Sequence, residues 1–271
     1  MNKKSTTVKL LTTTLALSAI FSSHLYAEES AEELAKKLSN PVAALISIPI
    51  KFNFDENIGA DDKGSRNTIT VQPVIPFDIN DEWNVISRTI IPIVSQTDIT
   101  GLPDEDGLGD IIATNWLSPK APSASGWIWG VGPVLSLPTA SKDILGTEKF
   151  SAGPSALALK QEGQITYGFL VHHLWSVAGE DNRADVSNTF MQPFFAYATK
   201  TGMSFSVNTE TTYDHKAEEW SVPVNAKVSQ VMKFGSQLMQ FGANLRYWAE
   251  SPDNGPEGFG VTFDVVFLIP N

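Results

Sequence analysis

The stretch LISIPIKFNF (45–54) sets Ile46, Ile48, Ile50, Phe52 and Phe54 in alternation with Ser47, Pro49, Lys51 and Asn53. A period of two puts every apolar side chain on one face of an extended strand and every polar one on the other. The pattern returns in Ile165, Tyr167, Phe169, Val171, His173, Trp175 and Val177, and again in Met203, Phe205 and Val207 opposed by Ser204, Ser206 and Asn208. It closes the chain with Phe259, Val261, Phe263, Val265 and Phe267. In 126–138, Trp127, Trp129, Val131, Leu135 and Leu137 oppose Gly130, Gly132 and Ser136, an aromatic face backed by a small one.

Twelve such segments are expected, at 45–54, 66–77, 83–94, 110–118, 126–138, 151–160, 164–177, 187–199, 203–213, 220–232, 238–249 and 259–269. Each approaches or exceeds the roughly 9 to 11 residues a tilted strand needs to cross a bilayer. The even number suits closure of an antiparallel up-and-down barrel, so the expected fold class is an all-β transmembrane barrel with a short N-terminal helix.

Connections and tryptophans support this reading. Gaps after odd-numbered strands (such as 95–109 and 139–150) are long and mostly acidic, while those after even-numbered ones (161–163, 200–202, 233–237) are short. Short periplasmic turns and long extracellular loops give a membrane barrel that asymmetry. Trp83, Trp116, Trp127 and Trp129 fall at one set of strand ends and Trp175, Trp220 and Trp248 at the other, as aromatic girdles at two membrane surfaces require. Pro49, Pro73, Pro76, Pro92, Pro133, Pro193 and Pro223 lie inside proposed strands, so bulges or interruptions must absorb several missing ladder donors.

Before the first strand, residues 1–27 carry Lys3, Lys4 and Lys9, an apolar stretch from Leu10 to Phe21, and Ala27. A basic start, a short apolar centre and a small residue describe a signal peptide. Removing it takes away three lysines and no acid, moving the formal charge from -11 to -14. That acidity disfavours nucleic acid as a partner. The absence of cysteine excludes disulfides, thiol nucleophiles and thiolate metal sites. Residues 28–44 are expected to be a short periplasmic helix and linker, capped by Ser30 with Glu33 three positions on, stopped by Pro41 and lying against the barrel surface; 45–271 is the barrel.

If the apolar faces meet lipid, Lys51, Asn53, Arg88, Asn208, Glu210, Asn225, Lys227, Asn244, Arg246 and Asp264 face the interior, where they either meet a passing solute or pair with each other. Neighbours on a strand, His172 and His173 point to opposite faces and cannot share a metal; His215 follows Asp214 in a loop. A lipid-facing hydrolase needs a serine beside an outward histidine, and the pattern places none beside His173, so no catalytic residue is expected. Asp104, Glu105, Asp106 and Asp110 form one acidic cluster around Gly107 and Gly109, and Asp55, Glu56, Asp61 and Asp62 another; neither has calcium-loop spacing, so no metal or cofactor is expected.

Taken together, ELAKKLSNPVAALISIPIKFNFD (33–55), WNVISRTIIPI (83–93), GLGD (107–110), WIWGVGPVLSLPTA (127–140), AGPSALALKQ (152–161), HHLWSVAG (172–179) and RYWAESPDNGPEGFG (246–260) resemble a bacterial family of outer-membrane proteins of the meta-pathway phenol-degradation type, whose members carry labels such as "transporter" or "neuromedin U". The resemblance implies an outer-membrane channel of a Gram-negative cell passing small aromatic or hydrophobic solutes. Its partners would be outer-membrane lipid and lipopolysaccharide, the solute and the barrel-assembly machinery, and it would act as a monomer without enzymatic activity. The alternative is a non-transporting surface barrel whose acidic loops bind divalent cations or a partner.

Overall fold

The alternation in 45–54 does become a strand, and its polar and apolar faces separate the inside of a closed sheet from the outside. The computed structural model describes residues 30–269; the expected signal peptide at 1–27 lies outside the described residues. A helix α1 (Ala31–Leu38) precedes strands β1 (Ile46–Ile58), β2 (Gly64–Val71), β3 (Val74–Asp78), β4 (Trp83–Thr97), β5 (Glu105–Leu108), β6 (Ile111–Pro119), β7 (Trp127–Leu137) and β8 (Lys149–Glu162). Then follow β9 (Ile165–Gly179), β10 (Ser187–Ala198), β11 (Met203–Thr209), β12 (Thr211–Asp214), β13 (Glu219–Phe234), β14 (Gln237–Glu250) and β15 (Gly258–Ile269). Neighbours pair antiparallel, and β1 pairs β15 from Ile46↔Ile269 to Phe54↔Val261, which closes the sheet. β2 with β3, β5 with β6, and β11 with β12 are single crossings interrupted midway, so the molecule is a twelve-stranded antiparallel barrel.

Prolines account for those interruptions, because each removes a ladder N–H. Pro73 sits in the gap between β2 and β3, Pro92 faces the break where Gly109 N–H reaches its carbonyl, and Pro223 lies opposite Glu210 between β11 and β12. Pro133 and Pro154 are register partners on β7 and β8, so their missing donors fall together. The strands also run further than expected at the long-loop end, to Ile58, Thr97 and Gly179.

Outside, Phe54, Ile93, Phe169, Phe205, Leu245 and Phe263 come from six different strands and are 40–55% exposed. A soluble protein does not leave a continuous apolar belt in water, and among the described residues no helix is long and apolar enough to cross a membrane. The belt is the membrane-facing surface of a β-barrel. Trp83 packs edge-on against Trp129, and Trp127 against Tyr167, toward the short turns; Trp220 packs on Tyr213 toward the long loops. Two tryptophans depart from the expected girdles. Trp116 is 0% exposed and donates to Ser155 Oγ inside the barrel, and Trp248 donates to Asp55 Oδ1 on the inner wall.

α1 is where its caps predict, with Glu33 N–H donating to Ser30 Oγ and Ser30 N–H to Glu33 Oε2. It does not lie on the outer surface. Leu34 and Ala35 are buried against Ala198, Val231, Val266 and Leu268, all inward-facing residues at the short-turn end. The chain then crosses the mouth, and Val42 packs on the opposite wall against Ile86, Trp116, Leu157, Leu159 and Leu170. Gln161 Nε2 ties the segment to the wall through Lys36 O at 2.9 Å. An amphipathic helix next to an apolar inner rim buries its stripe there, because that removes both apolar surfaces from water.

Candidate solute pathway

Above the crossing segment the lumen divides into two walls. On β4 and β6–β9 the interior is filled: Gly130 leaves room for Trp116, whose Cβ would stand only 3.0 Å from any Cβ added at that glycine. On β1, β2 and β11–β15 the inward positions are polar, and their side chains form a ladder.

Lowest on that ladder, Lys227 Nζ donates to Asp264 Oδ2 at 2.7 Å. One level up, Asn225 joins three strands: its amide donates to Asn208 Oδ1 at 3.1 Å while its oxygen accepts from Asn244 Nδ2 at 3.0 Å and Arg246 Nε at 3.3 Å. Higher still, Arg246 Nη1 meets both oxygens of Asp55 at 3.1 and 3.0 Å, and Nη2 donates to Asn53 Oδ1, which also accepts from Thr262. Both contacts come from one guanidinium nitrogen, so Nη1 is shared between the two carboxylate oxygens in a charge-assisted hydrogen bond, stronger than a neutral one. Arg66 stands opposite Asp55 in the β1–β2 register and donates to Gln96 Oε1.

Two charges approach from other directions. Glu210, presented at the interruption opposite Pro223, lies 3.9 Å from Lys51 Nζ, a pair that spans the lumen because β1 and β11–β12 are not neighbours. Arg88 on β4 holds its guanidinium 4.9 Å over the Trp116 ring, and its Nε lacks a hydrogen-bond partner among the described residues. Lys51, Gln72, Arg88 and Gln192 line both a chamber of about 260 Å³ above residues 37–43 and a second of about 320 Å³ reaching Asp55, Arg246 and Glu210. Those four side chains therefore form the waist of the lumen.

The residues placed in the interior from the sequence all face inward: Lys51, Asn53, Arg88, Asn208, Glu210, Asn225, Lys227, Asn244, Arg246 and Asp264. Some meet open space and others meet each other. Sequence reasoning missed Asp55, assigned to a loop because β1 was ended four residues early, and Trp248, although Tyr247 beside it on the strand shows that only one of the two can face out. It also missed Arg66, Gln72 and Gln192, whose alternation was visible but carried no chemical signal.

The acidic loops are occupied with their own structure. Asp110 accepts from Ala140 N, Thr147 N and Thr147 Oγ1, Asp104 accepts from Asp98 N, and Asp61 binds Thr100 Oγ1 and Lys63. These hydroxyl and ammonium donors hold the Asp61 carboxyl below its ordinary range. No group of three or more metal-ligating side chains is positioned to hold an ion among the described residues.

No family model and no curated protein matches the chain. Among solved structures it is similar to an outer membrane channel from Pseudomonas putida F1, with a TM-score of 0.67 and 14% identity over 83% of this chain and 96% of that one. The β domain of a Bordetella autotransporter, BrkA, is more remote, with a TM-score of 0.48 and 7% identity over 83% of this chain and 98% of that one. At such identity the first likeness establishes the barrel fold.

Proposed function

We propose that this barrel sits in the outer membrane of a Gram-negative cell, short turns toward the periplasm, and passes small anionic solutes. One observation carries the reading: the waist joining the two chambers is lined by Lys51, Arg88, Gln72 and Gln192, with Glu210 3.9 Å from Lys51 and Asp264, the register partner of Lys51, already paired with Lys227. Across the whole ladder, cations Lys51, Arg66, Arg88, Lys227 and Arg246 face anions Asp55, Glu210 and Asp264. Fixed charges in a pore set the local counter-ion preference, so an excess of cations favours anions even in a chain of formal charge -11. The resemblance implies aromatic solutes, and aromatic carboxylates satisfy both that implication and the polar wall. A neutral hydrophobic solute would have to displace water from charged groups without replacing their partners.

Segment 31–45 crosses the mouth at the short-turn end and packs on both walls, which narrows the path a solute takes there. The test is flux into liposomes: benzoate should enter faster than benzyl alcohol or benzylamine of similar size, and Arg88→Gln should reduce the benzoate advantage. Equal rates for all three would contradict the anion preference, and rates equal to empty liposomes would contradict transport.

A further inference from the structure

On the outer wall, away from the lumen, three adjacent strands bring together a serine, two histidines and a threonine. The β9–β10 register pairs His173 with Thr189, and Ser187 with Trp175; the β10–β12 register pairs Thr189 with Tyr213, two residues before His215. Ser187 Oγ lies 3.4 Å from His173 Nε2, His173 Nδ1 lies 2.8 Å from Thr189 Oγ1, and Thr189 Oγ1 lies 2.8 Å from His215 Nε2. Sequence alternation put His173 on this face but could not supply the cross-strand register that sets Ser187 beside it.

One proton assignment satisfies all three contacts. Ser187 donates to His173 Nε2, His173 Nδ1–H donates to Thr189, and Thr189 donates to His215. Both imidazoles are then neutral. A serine hydroxyl on one imidazole nitrogen, with the other nitrogen held by a fixed acceptor, is the constellation that activates a nucleophile. Its depth names the substrate. Trp175 lies 4.1 Å centroid to centroid from His173, and Tyr213 packs between His215, edge-on at 4.7 Å, and Trp220, tilted at 4.6 Å, so the array stands at the long-loop aromatic girdle. Aromatic belts mark the headgroup level, where the ester groups of lipids meet their acyl chains. Four residues along β9 from His173, at Phe169, begins an open outer groove of about 610 Å³ that takes in Pro193, Phe195, Val207 and Val224 on neighbouring strands and reaches Trp127 and Tyr167 at the short-turn girdle, apolar in character as an acyl chain requires.

We propose that Ser187, His173, Thr189 and His215 form an acyl-transfer site for fatty-acyl esters of the outer leaflet. Ser187 Oγ attacks the ester carbonyl as its proton passes to His173 Nε2. The bond from the carbonyl carbon to the alcohol oxygen breaks, and His173 returns that proton to the leaving alcohol. Water, deprotonated by the same nitrogen, then attacks the acyl-serine, releasing the fatty acid and restoring the Ser187 hydroxyl with the proton. Ser187 and His173 are the catalytic residues; Thr189 and His215 position the imidazole.

The experiment uses the full chain folded in detergent, its fold verified by heat-modifiable migration on gels. A long-chain alkyl fluorophosphonate should add one label, mapped to Ser187 by mass spectrometry and lost in Ser187→Ala and His173→Gln. Fluorescent diacylglycerophospholipid and lipid A in mixed micelles are presented separately, and the one that releases fatty acid names the source of the ester. Thr189→Val should lower kcat at least tenfold with KM little changed and shift the acidic limb of the pH profile, with Thr189→Ser restoring both. If folded wild type takes no label at Ser187 and releases fatty acid from neither lipid, the proposal is overturned. Labelling or release that survives Ser187→Ala overturns it equally.

Discussion

Trp116 and Arg246 both point into the barrel and both are largely withdrawn from water, yet they are stabilised in opposite ways. Trp116 lies in a dry wall, fully buried among Ile86, Leu157, Leu159 and Leu170, with one hydrogen bond to Ser155. Arg246 lies in a wet wall, facing a chamber, and is held by Asp55, Asn53 and Asn225. The dry wall obtains stability from area and packing; the wet wall must match every charge with a partner or with water. One side of the lumen is held by packing and fixes the shape; under the proposed function the other is the side a solute would meet.

The largest expected effect is on the dry side. Trp116→Ala removes a ring that nothing can refill and leaves Ser155 and Arg88 without their partner, and large-to-small core changes of this kind cost about 3 to 5 kcal/mol. Urea unfolding of the detergent-folded protein should report a loss in that range. Asp55→Ala strands Arg246 on the wet side, where breaking a buried pair costs about 3 to 5 kcal/mol. Water in the adjoining chamber should hold the loss near the lower figure, and Asp55→Leu with Arg246→Met should recover much of it. A larger loss for Asp55→Ala than for Trp116→Ala would mean that the wet wall carries the shape.

Outside the barrel the comparison is between lipid and lumen. Phe169→Arg and Phe205→Arg place a cation in the apolar belt, where it costs about 2 to 4 kcal/mol near the midplane. Ser206→Arg projects instead into the lower chamber and should assemble more readily while reducing flux. Equal assembly defects would put the faces in error.

The smallest effect concerns the mouth. Ser30 holds the Glu33 carboxyl below its ordinary value of 4.5 through backbone and hydroxyl hydrogen bonds. A depressed folded value means that the cap's contribution is complete above 4.5 and is lost as pH falls through the folded value. Hydrogen exchange of 31–38, corrected for intrinsic rate, should therefore show weaker protection at acid pH than at pH 7, and Glu33→Gln should flatten the difference.

Strand positions were legible because alternation and loop length agree; all twelve crossings fall within a few residues of their expected places. Features that depend on pairing were not. In DIIATNW (110–116), adjacent Ile111 and Ile112 leave the phase open, and Trp116 was assigned to the wrong face. Helix α1 was legible as a helix, from Ser30, Glu33 and Pro41, but its lodging inside the mouth depends on Val231, Val266 and Leu268, residues almost two hundred or more positions away. Inward residues were identifiable one by one, while the division between those that pair and those that line the waist needed the register of non-adjacent strands.

The central claim is that the cationic waist selects anions, and reversal potentials in planar bilayers under a potassium chloride gradient test it most directly. The account predicts anion-selective current, more strongly so in Glu210→Gln and less so, or cation-selective, in Arg88→Gln with Lys51→Gln. Current with no selectivity, or selectivity that none of these substitutions moves, would contradict it.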